Sequence, residues 1–175
     1  MNKDGGANSP AATDLAQTKA ISLWRIAADT PQWAAEDLSG KGAAQRGARW
    51  NHAGEPVAYA ASSISLAAWE TRAHFGQGAQ LPWNRYLVRI DVPADVWAAR
   101  ETHAQPLPVG WDAIPEGRVS RALGSKWLNA ASSALLVVPS VIVSEEINVL
   151  VNPAHAQAQR ITAVKLRRFV YDHRV

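Results

Sequence analysis

Residues 47–76 read GARWNHAGEPVAYAASSISLAAWETRAHFG, and this stretch decides how the rest of the chain is read. It divides into a polar loop carrying Arg49, a short strand through Val57-Ala58-Tyr59-Ala60, and a helix holding Glu70. Ser62 or Ser63 can cap that helix, because a side-chain oxygen at that point satisfies an orphaned backbone N–H. Ile64, Ala67 or Ala68, Thr71 and Phe75 recur at helical spacing, and Gly76 supplies the stop. At 3.6 residues per turn, Glu70 flanks the apolar stripe instead of opposing it. It is then either a solvated carboxylate paired with His74 at i+4, or a carboxylate aimed into a site. Brought together, Arg49, Tyr59 and Glu70 would supply a cation, an aromatic face and a carboxylate. Those parts suit an anionic substrate with an aromatic leaving group.

Upstream, residues 1–19 are rich in Ala, Gly, Asn, Asp and Thr without apolar periodicity, the composition of a disordered arm. A single domain is expected over residues 20–175. Ile21 and Leu23 alternate with Ser22 and Trp24 in a first strand ending near Arg25, whose charge points either to water or into a site. The glycines between Ser39 and Gly47 make no Walker pattern, since Lys41 lacks the spacing and the following Ser or Thr.

Downstream, Tyr86–Val92 alternates as a half-buried strand, with Tyr86, Val88, Ile90 and Val92 on one face. Residues 100–117 form a long irregular connection, the kind of loop that is often functional. Residues 117–131 can form a second helix, with Val119, Leu123, Trp127 and Leu128 apolar. The run Ala134–Pro139 breaks at Ser140 and resumes at Val141–Val143. A serine at such a break is usually a satisfied turn hydroxyl, and no GxSxG elbow surrounds it. Val149–Val151 and a basic terminal strand, ITAVKLRRFVYD, complete a mixed α+β domain of short strands and few helices.

Composition narrows the function. At 175 residues and 47% hydrophobic content, one domain can bury a real core. No apolar run approaches the roughly 20 residues of a membrane span, and no secretory signal opens the chain, so a cytoplasmic protein without membrane contact is expected. There is no cysteine, and the five histidines are scattered, so no metal centre is expected. Of the formal charge of +3, the last sixteen residues carry +4 and the remainder −1. Lys and Arg commonly guard a sheet edge against mispairing, so no direct nucleic-acid contact is expected from this cluster.

The segments LWRIA, GARWN, EPVAYAASSISLAAWE, GSKWL, VVPSVIV and EINVLVNPAHA, in this order between Ser22 and Gln159, resemble the RES domain family. That family supplies NAD-degrading toxins of RES–Xre type II toxin–antitoxin pairs. The resemblance implies a fold like the ADP-ribosyltransferases of the diphtheria-toxin type. By position it implies Glu70, Arg25 and Ser140 as catalytic residues, and Arg25, Arg49, Tyr59 and Ser140 as the residues that bind NAD+. It also implies a cognate Xre-type helix-turn-helix antitoxin, with NAD+ as a consumed substrate and no bound cofactor. Where the family often has Tyr directly after the first Arg, this chain has Ile26.

The residue types suit that chemistry. Breaking the nicotinamide–ribose bond builds positive charge on the ribose, which a carboxylate such as Glu70 can stabilise. A diphosphate calls for the planar fork of Arg25 or Arg49. Tyr59 can stack on nicotinamide, and Ser140 can donate to ribose or phosphate. Two other functions fit the same residues: a protein ADP-ribosyltransferase with this pocket, or a non-catalytic module binding partners through tryptophans and the 100–117 loop.

Overall fold

The computed structural model describes residues 20–75, 80–172 and 174. The expected N-terminal arm and the Gly76 helix stop lie outside those residues. The framework is one seven-stranded sheet in the order β4-β5-β6-β2-β1-β3-β7. Its strands are β1 (Ile21–Ala28), β2 (Ala58–Ala61), β3 (Arg85–Val92), β4 (Glu101–Thr102), β5 (Leu135–Pro139), β6 (Ile147–Val151) and β7 (Thr162–Arg168). The helices are α1 (Lys41–Ala44), α2 (Ile64–Arg72), α3 (Ala94–Ala98) and α4 (Arg118–Ala130). All pairings are antiparallel except β4 with β5. The α+β class expected from the sequence is what the chain adopts.

The sheet is two well-registered halves with a narrow join. β1 pairs with β3 along its whole length, from Ile21↔Val92 to Ala28↔Arg85. β2 pairs with β6 from Ala58↔Val151 to Ala61↔Asn148. Between the halves, β1 and β2 share one registered pair, Trp24↔Ala61.

Side-chain alternation then sorts the chain onto two faces. One face buries Leu23, Ala58, Ala60, Val88, Ile90, Leu135, Val137, Val149 and Val151 with Val96 of α3. The opposite face carries two smaller cores. Ile26, Ala61 and Leu87 pack under Leu66 and Ala67 of α2. Leu136, Val138 and Leu150 pack with Trp50, Trp111 and Trp127, the last from α4.

The reading of β3 as half-buried holds for Val88, Ile90 and Val92, which are buried, against Arg89 and Asp91, which are partly exposed; Leu87 departs from it, 3% exposed on the outer face beneath α2. α4 lies within a residue of its expected bounds. The 100–117 connection, expected to be irregular, begins with β4, preceded by the unexpected helix α3. Val141–Val143 does not resume as strand but turns back after β5. The basic strand β7 does form an edge of the sheet, where Lys165 pairs with Asp29 at 2.9 Å.

Candidate functional site

The site begins with the start of α2. Ser63 caps the helix by accepting from the Leu66 N–H at 3.0 Å, and its own hydroxyl donates to Glu146 Oε2 at 2.6 Å. Ser62 adds a weaker bond to the same oxygen. Glu146 sits in the turn between β5 and β6, and its carbonyl accepts from the Ser140 N–H at 3.0 Å. The helix start and that turn are therefore tied together, with a carboxylate at the positive end of the helix. Leu66 and Ala67 anchor the buried face. Glu70, four and three residues further on, follows them along the same side.

Glu70 is partly buried and does not project into solvent. Its Oε1 accepts from Ser140 Oγ at 2.8 Å and from Asn148 Nδ2. The side-chain pair with His74 does not form; His74 Nδ1 lies 2.7 Å from the backbone carbonyl of Glu70 instead. These partners make Glu70 a hydrogen-bonded carboxylate, unlike the freely solvated one of the first alternative. Ser140 is 2% exposed, and its Oγ also accepts from the N–H groups of Ile142 and Val143, at 3.0 and 3.1 Å. It is a satisfied turn hydroxyl and a partner of Glu70 at once.

Tyr59 stands beside this group. Its register partner on β6 is Leu150, so Asn148 is its diagonal neighbour on the same face, at a spacing of about 7–8 Å. The Tyr59 hydroxyl donates to Asn51 Oδ1 at 2.8 Å and accepts from the Trp50 N–H at 3.1 Å. Burial pushes the phenol's pKa well above its usual value, only partly opposed by the Trp50 N–H and the charges of Arg121 and Arg49. Tyr59 is thus a neutral ring held by its hydroxyl end.

Arg49 belongs to the same neighbourhood. Its Nη1 donates to the carbonyls of Trp111 and Ala113, at 3.2 and 3.0 Å, which ties the 100–117 connection to the loop before β2. Arg121 of α4 closes the group, with Nε on the Ala48 carbonyl at 3.1 Å and Nη2 on Glu116 at 3.2 Å.

Arg25 is placed differently. It shares the strand face of Leu23 and Ala27, opposite Trp24 and Ile26, and its Nη1 donates to the Asp37 carbonyl at 3.0 Å. Burial lowers its pKa from the ordinary value, against the pull of Asp37. The structure joins Glu70 directly to Ser140, sets Tyr59 diagonal to Asn148 on the neighbouring strand with Arg49 close enough to Tyr59 to act on its hydroxyl, and gives Arg25 no direct bond to that group.

Asn148, Glu146 and Arg121 were not among the residues singled out from the sequence. The signal for Asn148 was available: it keeps step with the buried Leu150 in the INVLV alternation of β6, where a polar residue in a core phase needs a partner. Among the described residues, no group of three or more His, Cys, Asp or Glu is arranged to hold a metal ion. No described helix is long and apolar enough to cross a membrane.

A carboxylate with one oxygen saturated by fixed donors, near an aromatic ring, can stabilise a cation developing on a bound substrate. Residues 22–172 match the family model described as the RES domain. A protein of Sphingobium sp. (strain YBL2) named "Prs ADP-ribosylating toxin" is 54% identical over 156 residues, covering 88% of this chain and 96% of that one. "Toxin Res" of Pseudomonas putida is 38% identical over 154 residues, covering 87% and 98%. Among solved structures, the crystal structure of the M. tuberculosis MbcT–MbcA toxin–antitoxin complex contains a chain of similar fold. It has a TM-score of 0.58 at 18% identity, with 85% of each chain covered.

Proposed function

This chain belongs to the RES domain family, and on that premise we propose that it is the toxin of a bacterial toxin–antitoxin pair that cleaves the nicotinamide–ribose bond of NAD+. The observation that carries this reading is the Glu70 carboxylate, held by Ser140 and Asn148 through one oxygen, beside Tyr59. As the bond breaks, its electron pair passes to the nicotinamide nitrogen, which leaves neutral, and positive charge grows at the ribose C1′. Glu70 opposes that charge. Tyr59 offers a ring face to the nicotinamide, and Arg49 a guanidinium to the diphosphate. Arg25 lies on the opposite strand face, bonded to the Asp37 carbonyl, and its part in the reaction rests on the family resemblance alone. With water as acceptor, its oxygen bonds to C1′ and its proton passes to solvent.

The acceptor can also be phosphate or a protein. A protein acceptor is favoured by one specific observation: the 54% identical relative carries the name of an ADP-ribosylating toxin. NAD+ labelled in its ADP-ribose half separates these outcomes. Free ADP-ribose or its phosphate ester supports degradation, and label on protein supports transfer. No nicotinamide release from folded protein, with phosphate and candidate acceptor proteins supplied, would overturn both and leave a binding module.

The same reading implies an antitoxin of the Xre helix-turn-helix type that covers the cleft, in keeping with a fold neighbour solved as a toxin–antitoxin complex. Expression of this chain alone in a bacterial host should arrest growth, and co-expression of the antitoxin should restore it. Normal growth with confirmed folded protein would sink the toxin assignment.

A further inference from the structure

We infer that Ser140 and Asn148 are positioning residues, which fix Oε1 of Glu70 so that Oε2 is the oxygen presented to the substrate. This deepens the reading above and rests on it for the substrate's identity. A serine hydroxyl has one proton and two lone pairs. The Ser140 proton goes to Glu70 Oε1, and the lone pairs take the Ile142 and Val143 N–H groups. Its capacity is used up and the residue is 2% exposed, so nothing remains with which to bind ribose or phosphate. Ser140, implied by family resemblance as a substrate ligand, acts here on the carboxylate.

Asn148 completes the device from a second direction. It lies on β6 between two partners, Ala61 on β2 and Val138 on β5, so its backbone is fixed on both sides. Its Nδ2 donates to the same Oε1. The terminal torsion of a glutamate is otherwise broad, and a carboxylate free to turn offers a poorly aimed charge. Two donors from different elements, converging on one oxygen, remove that freedom. The turn that carries Ser140 also carries Glu146, which holds the start of α2 through Ser63. One turn thus fixes both the helix and the head group of its glutamate.

The test has an arm that needs no turnover. In 15N NMR of the full chain, the side-chain amide of Asn148 should shift when Glu70→Ala removes its acceptor; an unmoved resonance overturns the inference. In nicotinamide release from NAD+, Asn148→Ala and Ser140→Ala should each lower kcat about 10- to 100-fold, as for a hydrogen bond to a charged group. KM for NAD+ should stay within about twofold, because neither residue touches substrate. A raised KM with intact kcat, or an unchanged kcat, overturns the inference while sparing the proposed reaction. No release from the wild-type chain overturns the reaction. Should Ser140→Ala fail to fold, with two N–H groups left unpaired, Asn148→Ala carries the kinetic arm.

Discussion

Gly124 of α4 lies against the backbone of Trp50 so closely that a Cβ on it would stand 1.8 Å from the Trp50 carbonyl oxygen. Only a residue without a side chain lets the helix reach this loop. The contact seats Trp50, whose N–H binds Tyr59 and whose neighbour Arg49 holds the carbonyls of Trp111 and Ala113. In an exposed helix, Gly→Ala stabilises by about 1 kcal/mol. Here the sign should reverse: Gly124→Ala is expected to cost about 1–3 kcal/mol or more, since backbone has to move. Urea unfolding measures it, and a gain in stability would contradict the close approach.

Arg49 uses one nitrogen, Nη1, to hold the carbonyls of Trp111 and Ala113. Its remaining nitrogens are available for a substrate anion. A lysine ammonium cannot span both tasks. Arg49→Lys should therefore lower nicotinamide release and also make the 100–117 connection more sensitive to limited proteolysis. Wild-type turnover in Arg49→Lys, and likewise in Arg25→Lys, would take both residues out of the substrate site.

Glu70→Gln replaces a charge with a neutral amide of the same shape. If the carboxylate opposes the ribose cation, turnover should fall about 100- to 1000-fold while NAD+ still binds. Growth arrest should be lost with it. Retention of more than about a third of wild-type turnover would not fit that electrostatic magnitude.

The Asp29–Lys165 pair joins the loop after β1 to the edge strand β7. The hydrogen bond to Lys165, then that to the Ala35 N–H, holds Asp29 below its ordinary carboxylate value, and the hydrogen bond to Asp29 raises Lys165. Asp29 therefore adds stability above its unfolded pKa and loses it as pH falls through the lower folded value. Lys165 adds stability below its unfolded pKa and loses it as pH rises through the higher folded value. The melting difference between wild type and Asp29→Asn should be flat across neutral pH and shrink in acid below the carboxylate range. A difference that grows on acidification would contradict the pairing.

Much of the fold was legible because it is local. The alternation of Tyr86–Val92, the apolar spacing of α4 and the Ser63 cap involve residues a few positions apart, whose backbone preferences do not depend on the rest of the chain. The helical stripe also showed that Glu70 flanks a buried face. α3 and β4 went unseen. α3 is only five residues long, and β4 exists because β5 lies beside it.

The sequence by itself determined the α+β class, the family resemblance and the residue types on offer. The tertiary structure decided what those residues do. Ser140 and Asn148 lie 70 and 78 residues beyond Glu70 in the chain, and no local periodicity encodes their meeting. It follows from β6 pairing with β2 on one side and β5 on the other, which sets Asn148 and the Ser140 turn beside α2. On β1, the alternation along the strand puts Arg25 on the opposite face, with its partner Val88 of β3. A strand's period of two fixes which residues share a face, but only its neighbours in the sheet fix what that face meets.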